Sequence, residues 1–349
     1  LLAVDTQTAE VKGRIVAFVD AAKAMTFERP TGGVAFFECV EDLNIAKALF
    51  QQAEQWLASH NMEAMNAPVN LGENHMNWGL LVEGFAPPAY GMLYNKPYYK
   101  DFFEAFGFKV YFKQYSKRLD LSKPMPERFQ RIAEWVSRKD NVRFDYVHAD
   151  RAYEYGLDIM KVYNDAWVHH DNFAPLTKEK VATMAKELKQ VLIPELMPLA
   201  YVDDEPAGFI LAIPDLNQIF GPMKGKLPLL EALKFAWRKR NNYSWYLKHG
   251  VLTRARVLIM GVHPRYQKYG LESGLVMHPM ERIRQLGFKE VELSWVGDFN
   301  PAMQAIQNAT GAEDAHVHHT YRYVFNEANH EDYHKLIAMD HRSKEAVQP

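Results

Sequence analysis

The chain has 349 residues, of which 48% are hydrophobic and 24% are charged, and its formal net charge is −2 at pH 7. These values are typical of a globular protein of about two domains, and the near-zero charge argues against a general nucleic-acid binder. Cys39 is the only cysteine, which excludes an intrachain disulfide and a cysteine-based metal site. No run of about 18 apolar residues is present to span a bilayer, so we expect a cytoplasmic protein with no membrane partner.

The N-terminal half alternates apolar strands with helices. Its opening residues lack a starting Met and a basic segment ahead of an apolar core, which indicates a truncated or processed start rather than a signal peptide. Asp42 is the expected N-cap of the first helix, because a carboxylate accepts hydrogen bonds from first-turn N–H groups. We predict strands and helices from hydrophobic periodicity and turn residues: strands at 13–19, 34–40, 62–65 and 110–115, and helices at 42–60 and 97–107.

A proline-containing segment at 121–126 is the best candidate for a linker. After it we predict a short helix at 129–138, followed by a strand at 142–147. Asp150 is expected to cap a helix that ends at Trp167, and Thr177 to cap a second helix. Two apolar runs on either side of an acidic turn then predict a hairpin with strands at 199–202 and 207–213.

The segment 257–311 predicts strand, turn, helix, strand, loop and helix. Four apolar residues at 257–260 are typical of a fully buried strand. The helix is predicted from Leu271 to Gln285, where Gly287 follows as a C′ residue. A second strand is predicted at 290–296, and Asn300-Pro301 begins a final helix that Gly311 closes.

Gln267, Gly270 and Glu272 form a Gln-x-x-Gly-x-Glu turn between this strand and helix, and Asn300 and Gly311 follow at a fixed spacing. Together they resemble the core of the GNAT acyltransferase superfamily. The resemblance implies that backbone N–H groups of the turn bind the pyrophosphate of acetyl-CoA or another acyl-CoA, and that an N–H near Val262 polarises the thioester carbonyl. The cofactor-binding residues it implies are Val262, Gln267, Lys268, Tyr269, Gly270, Leu271, Glu272 and Asn300.

Two positions depart from that family pattern. Glu272 places a carboxylate where the family has a small residue and where phosphates approach. Gln307 stands seven residues after Asn300, where many members carry a tyrosine general acid. Both departures concern catalysis and cofactor binding, and neither changes the expected fold.

The whole chain also resembles an uncharacterised tandem-GNAT family. The shared segments run from Gly13 to Phe325: GRIVAF (13–18), GLLVEGF (79–85), YNKPYY (94–99), GFKVY (107–111), YNDAW (163–167) and PDLNQ (214–218). We therefore expect an α/β (α+β) fold with two tandem GNAT-like domains, each a mixed, mostly antiparallel sheet flanked by helices. The expected bounds are a degenerate domain at 1–122, a linker and short helix at 123–141, a second domain at 142–328 with an insertion at 215–250, and a polar tail at 329–349.

The first domain has no Gln-x-x-Gly turn. Its equivalent connection, Glu41-Asp42-Leu43-Asn44, is acidic and lacks glycine. Because acidic groups repel phosphate, we expect acyl-CoA to bind only in the second domain.

Histidine and tyrosine supply the candidate proton carriers for acyl transfer. His263 lies directly after the strand, and Tyr321 lies in the last predicted strand; both are weak catalytic candidates, as are His169 and His170. His316, His318 and His319 could form a metal patch, since 316 and 318 share a strand face. Ordinary strand histidines are the better interpretation, and we expect no metal.

The insertion is basic and aromatic. Between Lys224 and Arg256, Glu231 is the only acid, and tyrosines, tryptophans and phenylalanines lie among the Lys and Arg residues. This pattern fits a lid, a phosphate contact or a surface for tRNA, and also a solvated amphipathic helix at the sheet edge.

The sequence supports three functional hypotheses. The first is an N-acyltransferase that moves an acyl group from acyl-CoA to an amine of a small molecule or peptide. The second is a non-catalytic acyl-CoA-binding or interaction protein, favoured by Glu272 and Gln307. The third is an aminoacyl transferase that takes aminoacyl-tRNA through residues 224–256. A monomer and a homodimer are equally compatible with the sequence.

Overall fold

The computed structural model describes residues 1–21, 23–25, 27, 29–69, 78–168, 175–223, 225–240 and 243–326. It has the α/β (α+β) architecture expected from the sequence. The chain forms two compact units. Unit 1 contains Leu1–Ser116, Trp295–Pro301 and the segment that begins at Ala315, and unit 2 contains Lys117–Ser294 and Ala302–Asp314. Each unit therefore combines segments that are separated in the sequence. The domain bounds proposed from the sequence stay a prediction.

The strands within the described residues are β1 (Leu2–Val4), β2 (Val11–Phe18), β3 (Thr31–Cys39), β4 (Ala64–Ala67), β5 (Leu80–Glu83), β6 (Lys109–Asp120), β7 (Val142–Tyr146), β8 (Pro198–Val202), β9 (Glu205–Pro214), β10 (Arg254–Val262), β11 (Glu290–Glu292), β12 (Val296–Gly297) and β13 (Glu313–Val324). The helices are α1 (Leu43–Ser59), α2 (Tyr99–Phe106), α3 (Glu127–Ser137), α4 (Ala152–Trp167), α5 (Lys178–Leu188), α6 (Asn217–Phe220), α7 (Leu229–Arg238), α8 (Ser244–Lys248), α9 (Leu271–Met277), α10 (Met280–Leu286) and α11 (Pro301–Ala309).

Unit 1 is built on strands in the spatial order β1–β2–β3–β4–β13–β6, with β5 beside β13 and β12 beside β6. The pair β3–β4 is parallel, and the pairs β1–β2, β2–β3, β4–β13 and β5–β13 are antiparallel. The strand β13 therefore pairs with strands that come about 250 residues earlier in the chain.

The core of unit 1 is aromatic. The ring of Phe50 lies 4.8 Å from Phe37, 4.9 Å from Phe103 and 5.3 Å from Phe108. The helix α1 supplies Phe50, and Asp42 caps it as predicted by accepting from the N–H groups of Asn44 and Ile45.

Unit 2 places its strands in the order β11–β10–β9–β8–β7, with the last residues of β6 on β11. The pair β10–β11 is parallel, and the pairs along β6–β11 and β10–β9–β8–β7 are antiparallel. This is the mixed, mostly antiparallel sheet that the sequence predicts. Thr177 caps α5 as predicted, by accepting from Lys180 N–H.

Four local predictions are wrong in detail. Asp150 does not cap α4; a 3₁₀ turn at Ala149–Arg151 comes first, and Arg151 occupies the N-cap. The helix predicted from Leu271 to Gln285 is two helices, α9 and α10, because Pro279 lacks the N–H needed for an unbroken helix. The strand predicted at 290–296 is also interrupted and forms β11 and β12. Residues 257–260 of β10 are half-buried, not fully buried.

Within the described part of the chain, no helix combines the length and apolar character that crossing a bilayer requires. The predicted polar tail at 329–349 lies outside the described residues.

A glycine substitution tests the pairing of β13 in unit 1. Gly84 has φ +76°, and a Cβ at this position would lie 1.9 Å from the carbonyl oxygen of Ala315. Gly84→Ala is expected to lower the free energy of unfolding by about 3 kcal/mol or more, from the left-handed backbone plus the clash. Gly250 has φ +65° but open space around it, so the control Gly250→Ala should cost only about 1–2 kcal/mol. Equal losses in urea unfolding would contradict the placement of Ala315.

Candidate functional site

The two parallel strands at the centre of unit 2 separate. Residues Arg254–Arg256 of β10 pair with Glu290–Glu292 of β11, and β11 ends there. β10 continues through Val257–Val262, where β9 is its paired neighbour among the described residues. The residues 257–260 are half-buried. Beyond Arg256, one edge of β10 is therefore an open strand edge, with no paired strand among the described residues.

The direction of the main-chain groups at the end of β10 follows from one hydrogen bond. The N–H of His263 donates to the carbonyl of Ala207, which follows Pro206 on β9, at 2.9 Å. Because successive N–H groups of a strand point to opposite edges, the N–H of Val262 points to the open edge. This is the orientation that a carbonyl-polarising group requires.

The turn after β10 has an unusual backbone. A 3₁₀ turn at Pro264–Tyr266 leads into Gln267, and Lys268 and Gly270 then adopt left-handed φ values of +69° and +81°. The first intrahelical bond of α9 runs from Gly274 N–H to Gly270 O at 3.2 Å. The N–H groups of α9 ahead of it have no intrahelical acceptor. The N–H of Glu272 contacts its own carboxyl, and the others are the groups with which a helix start binds an anion such as a pyrophosphate.

The helix α3 packs directly against this turn. A Cβ on Gly270 would lie 2.9 Å from Ile132 Cγ2. Close by, Lys139 Nζ lies 3.7 Å from the centroid of the Trp135 ring and 3.6 Å from that of Tyr269. Trp135 and Lys139 were not among the site residues predicted from the sequence: Trp135 lies in the last turn of α3, and Lys139 follows the C-cap Arg138. They place a cation and an exposed indole beside the predicted phosphate turn.

Glu272 lies in the first turn of α9. Burial raises the pKa of its carboxyl above the ordinary value, and a hydrogen bond from its own N–H partly offsets that rise. The family resemblance implies a pyrophosphate at this turn; an ionised carboxylate would oppose its binding, whereas a protonated carboxyl would not.

His263 is committed to two hydrogen bonds. Its Nδ1 accepts from the N–H of Arg265 at 3.1 Å, and its Nε2 lies 3.0 Å from Asp165 Oδ2. Since a backbone N–H can only donate, Nδ1 carries the lone pair and Nε2–H donates to the carboxylate. No lone pair of the neutral ring is left to take a proton from an amine, so this geometry does not fit the base role considered for His263.

Tyr321 also does not fit a catalytic role. Its side chain is 0% exposed in the core of unit 1, and its hydroxyl donates to Glu104 at 3.2 Å. Burial is the main cause that raises the pKa of the Tyr321 hydroxyl, and the nearby Glu104 adds to it. Asn300 precedes α11, and its N–H donates to Gly297 O in unit 1. Unit 2 thus brings together Val262 and Gln267–Glu272 of the predicted cofactor set.

The remaining candidates have structural partners. Gln307 is buried and its side-chain amide donates to Ser294 O at 2.8 Å. The rings of His316 and His318 contact the backbone carbonyls of Gly84 and Leu93. Burial lowers the pKa of His319 to about 4, so that ring is neutral at pH 7. Among the described residues no cluster of His, Cys, Asp and Glu is arranged to hold a metal ion. His169 and His170 lie outside the described residues.

Buried charges lie where β10 and β11 are still paired. Arg254 Nε is 3.0 Å from Asp215 Oδ2 and 3.3 Å from Glu290 Oε1. Two residues further along the strands, where Arg256 pairs with Glu292, Glu292 is 0% exposed and accepts from Arg118 at 3.2 Å. Burial lowers the pKa of Arg256 to about 10, so this guanidinium stays charged at pH 7. The sequence reasoning missed this group, because its members lie far apart in the chain.

Removing one buried charge should be costly. Asp215→Ala removes one carboxylate partner of the buried Arg254 guanidinium. We expect the free energy of unfolding to fall by about 3–5 kcal/mol, because a buried charge is then less well compensated. The matched control is Glu154→Ala, which breaks an exposed pair with Arg151 and should cost less than about 1 kcal/mol. Urea unfolding of both variants checks this, and comparable losses would show that the Asp215 pair is solvated.

Replacing Glu272 tests the charge at the turn. We expect Glu272→Gln to bind CoA about tenfold more tightly than the wild type at pH 8, because the carboxylate no longer repels phosphate. The difference should shrink as the pH falls through the raised pKa of Glu272, since the wild-type carboxyl then becomes neutral. Calorimetric titrations from pH 5 to 8 measure this.

The exposed Glu281→Gln is the control for this titration. It should follow the wild type at every pH. A pH dependence of CoA affinity that is the same in Glu272→Gln as in the wild type would show that Glu272 does not face the phosphates.

No protein-family model matches this chain. It is 28% identical over 320 residues to the bacterial ceramide synthase of Caulobacter vibrioides (strain NA1000 / CB15N), covering 88% of this chain and 79% of that protein.

Two solved structures are similar in fold. A GCN5-related N-acetyltransferase from Sphaerobacter thermophilus gives a TM-score of 0.52 at 13% identity, over 93% of this chain and 79% of that chain. A tandem GNAT protein from the clavulanic acid biosynthesis pathway gives 0.50 at 14% identity, over 91% and 80%. The fold predicted from the resemblance at Gln267–Glu272 and the flanking elements is confirmed. This chain has the fold of the GCN5-related N-acetyltransferases, and a tandem GNAT protein is among the solved structures that share it.

Proposed function

We propose that this chain is an N-acyltransferase whose unit 2 binds acyl-CoA. The observation that carries the proposal is the open edge of β10, which ends at Val262 and leads straight into the turn at Gln267–Glu272. An extended pantetheine arm has amide groups that pair with an open strand edge. Its pyrophosphate then reaches the N–H groups that begin α9.

The chemistry at this edge is acyl transfer to an amine. The neutral amine attacks the thioester carbonyl, the new N–C bond forms as the C–S bond breaks, and the proton lost by the amine ends on the CoA sulfur. The N–H of Val262 hydrogen-bonds the carbonyl oxygen as negative charge develops there. Lys139 and Lys268, both at the turn, attract the phosphates of CoA.

Unit 1 serves a structural role in this proposal. The helix α1 of unit 1 takes the place that α9 has in unit 2. At its start, Asp42 already accepts from the N–H groups of Asn44 and Ile45. A phosphate at this helix start would have to displace a carboxylate of the same sign. Acyl-CoA therefore binds in unit 2 alone.

The acceptor is proposed to be a lipid amine. The relative in Caulobacter vibrioides is named a ceramide synthase, and a ceramide is the amide of a fatty acid and a long-chain amine. A long-chain acyl-CoA and a long-chain amine are therefore the first substrates to test, ahead of acetyl-CoA with a small-molecule or peptide amine. Glu272 supports binding without catalysis as the alternative, and the cations of 224–256 support an aminoacyl-tRNA donor.

Reversing the charge at the turn tests the donor site. Lys268→Glu keeps a side chain in the same left-handed backbone but places a carboxylate beside the phosphates, so CoA affinity should fall about tenfold. Lys289→Glu, an exposed cation elsewhere in unit 2, is the matched control and should bind as the wild type does. Calorimetric titration with CoA measures both, and equal losses would place the phosphates elsewhere.

Turnover of the same variants is measured with a thiol reagent, which detects the free thiol of CoA formed by acyl transfer. Cys39 is buried, and burial raises the pKa of its thiol to about 11, so the protein itself gives little background. We expect thiol release with a long-chain amine and acyl-CoA, reduced in Lys268→Glu. Binding of CoA without thiol release from any amine would favour the binding protein, and no CoA binding at all would favour another donor.

A further inference from the structure

The helix α7 exposes its apolar side chains. None of its ten residues is buried. Leu229 is 77% exposed, Leu230 63%, Leu233 60% and Trp237 57%. Single exposed leucines are common on protein surfaces, but four large apolar side chains on one short helix form a contiguous patch, which usually marks an interaction site.

These four residues occupy one side of the helix. At about 100° per residue, their positions span an arc of about 100°. On another side, Phe235 packs towards the protein, with its ring 4.8 Å from Phe220. Beneath α7 lies a groove of about 440 Å³ whose lining includes residues on that inner side: Glu231, Lys234, Phe235 and Arg238. The apolar arc takes no part in lining that groove, so it serves neither the core nor the cavity.

Cations surround the arc. Residues 225–240 contain five Lys and Arg residues and a single acid, Glu231. Glu231 is paired with Lys234 at 2.7 Å, and Arg238 stacks over the Trp245 ring at 4.1 Å. Lys226 and Arg240, which flank the helix at its two ends, are exposed. The surface thus combines leucines with a local positive charge on a protein whose overall charge is nearly neutral.

We propose that α7 docks on the surface of a bilayer that contains anionic lipids. Its leucines and Trp237 would enter the boundary between headgroups and acyl chains, while Lys226, Arg240 and their neighbours contact the anionic headgroups. A helix with an apolar face, a cationic polar face and a tryptophan is the form that lies in a membrane interface. Such a helix does not span the membrane, which is why a search for apolar runs does not find it.

The composition of the arc favours a lipid surface over the other partners. Single-stranded RNA is held by stacked aromatics and cations, and leucines contribute nothing to that recognition. A second copy of this chain would meet the same cations, and lysine is depleted at protein–protein interfaces. The inference stands on α7 alone and does not depend on the proposed acyl transfer, although it would bring unit 2 to a source of lipid amines.

Sedimentation with vesicles tests the proposal. Vesicles of phosphatidylcholine alone are compared with vesicles of phosphatidylcholine and phosphatidylglycerol. We expect the chain to sediment with the anionic vesicles and to be released by added salt. Leu230→Ser with Leu233→Ser should weaken binding by about tenfold or more, and Lys226→Glu with Arg240→Glu by about tenfold or more.

Matched controls separate the α7 surface from general effects. Leu2→Ser with Met25→Ser removes two exposed apolar side chains of unit 1, and Lys96→Glu with Lys109→Glu makes the same change in net charge. Both should bind vesicles as the wild type does. Quenching of tryptophan fluorescence by brominated acyl chains should fall in Trp237→Phe. Circular dichroism establishes that each variant is folded.

Two vesicle results would overturn the proposal. The first is that the wild-type chain stays in the supernatant with anionic vesicles. The second is that the Leu230 and Leu233 substitutions leave vesicle binding unchanged. Retention of tRNA that depends on Lys226 and Arg240, without vesicle binding, would assign the surface to nucleic acid instead. A concentration-dependent dimer that the leucine substitutions abolish would assign it to a second copy of the chain.

Discussion

The early end of the pairing between β10 and β11 is the constraint on which the candidate site depends. A parallel pair that continued to Val262 would satisfy the main-chain groups of β10 on both edges. Instead β11 ends at Glu292, and beyond it one edge of the longer strand has no paired strand among the described residues. The ion pairs of Arg254 and Glu292 lie on the residues that still pair. Since a buried charge is costly when its partner moves away, these pairs hold the strands together up to the point of separation.

The turn that follows β10 combines features that favour an anion with one that opposes it. The left-handed residues Lys268 and Gly270 direct the chain into α9, and the ammonium of Lys139 lies against the Tyr269 ring. Glu272 adds a carboxyl group whose pKa is raised by burial. A site of this kind would bind phosphate more tightly as that carboxyl takes up a proton. If acyl-CoA binds at this turn as proposed, the carboxyl of Glu272 would couple donor binding to pH in a way that a small residue would not.

The insertion between β9 and β10 gives unit 2 a surface of a different character. Its inner aromatic residues pack together through Phe235, and its outer leucines face solvent. The apolar face of α7 therefore points to solvent, whereas the apolar stripe of α1 packs into the core of unit 1. A lipid amine, a long acyl chain and a membrane-docking helix form a consistent set of proposals, although each depends on a separate observation.

Local patterns determined much of the fold. The caps at Asp42 and Thr177 and the glycines after α2 and α10 were predicted correctly, because a few neighbouring residues decide them. The sequence also predicted a turn between β10 and the following helix, whereas the left-handed φ of Lys268 is seen only in the structure. Only the tertiary structure paired Glu292 with Arg118, buried Tyr321 beside Glu104, placed Lys139 against Tyr269, and left the leucines of α7 in solvent. Those outcomes depend on which distant segments meet, and hydrophobic periodicity reports that a face is apolar without specifying what covers it.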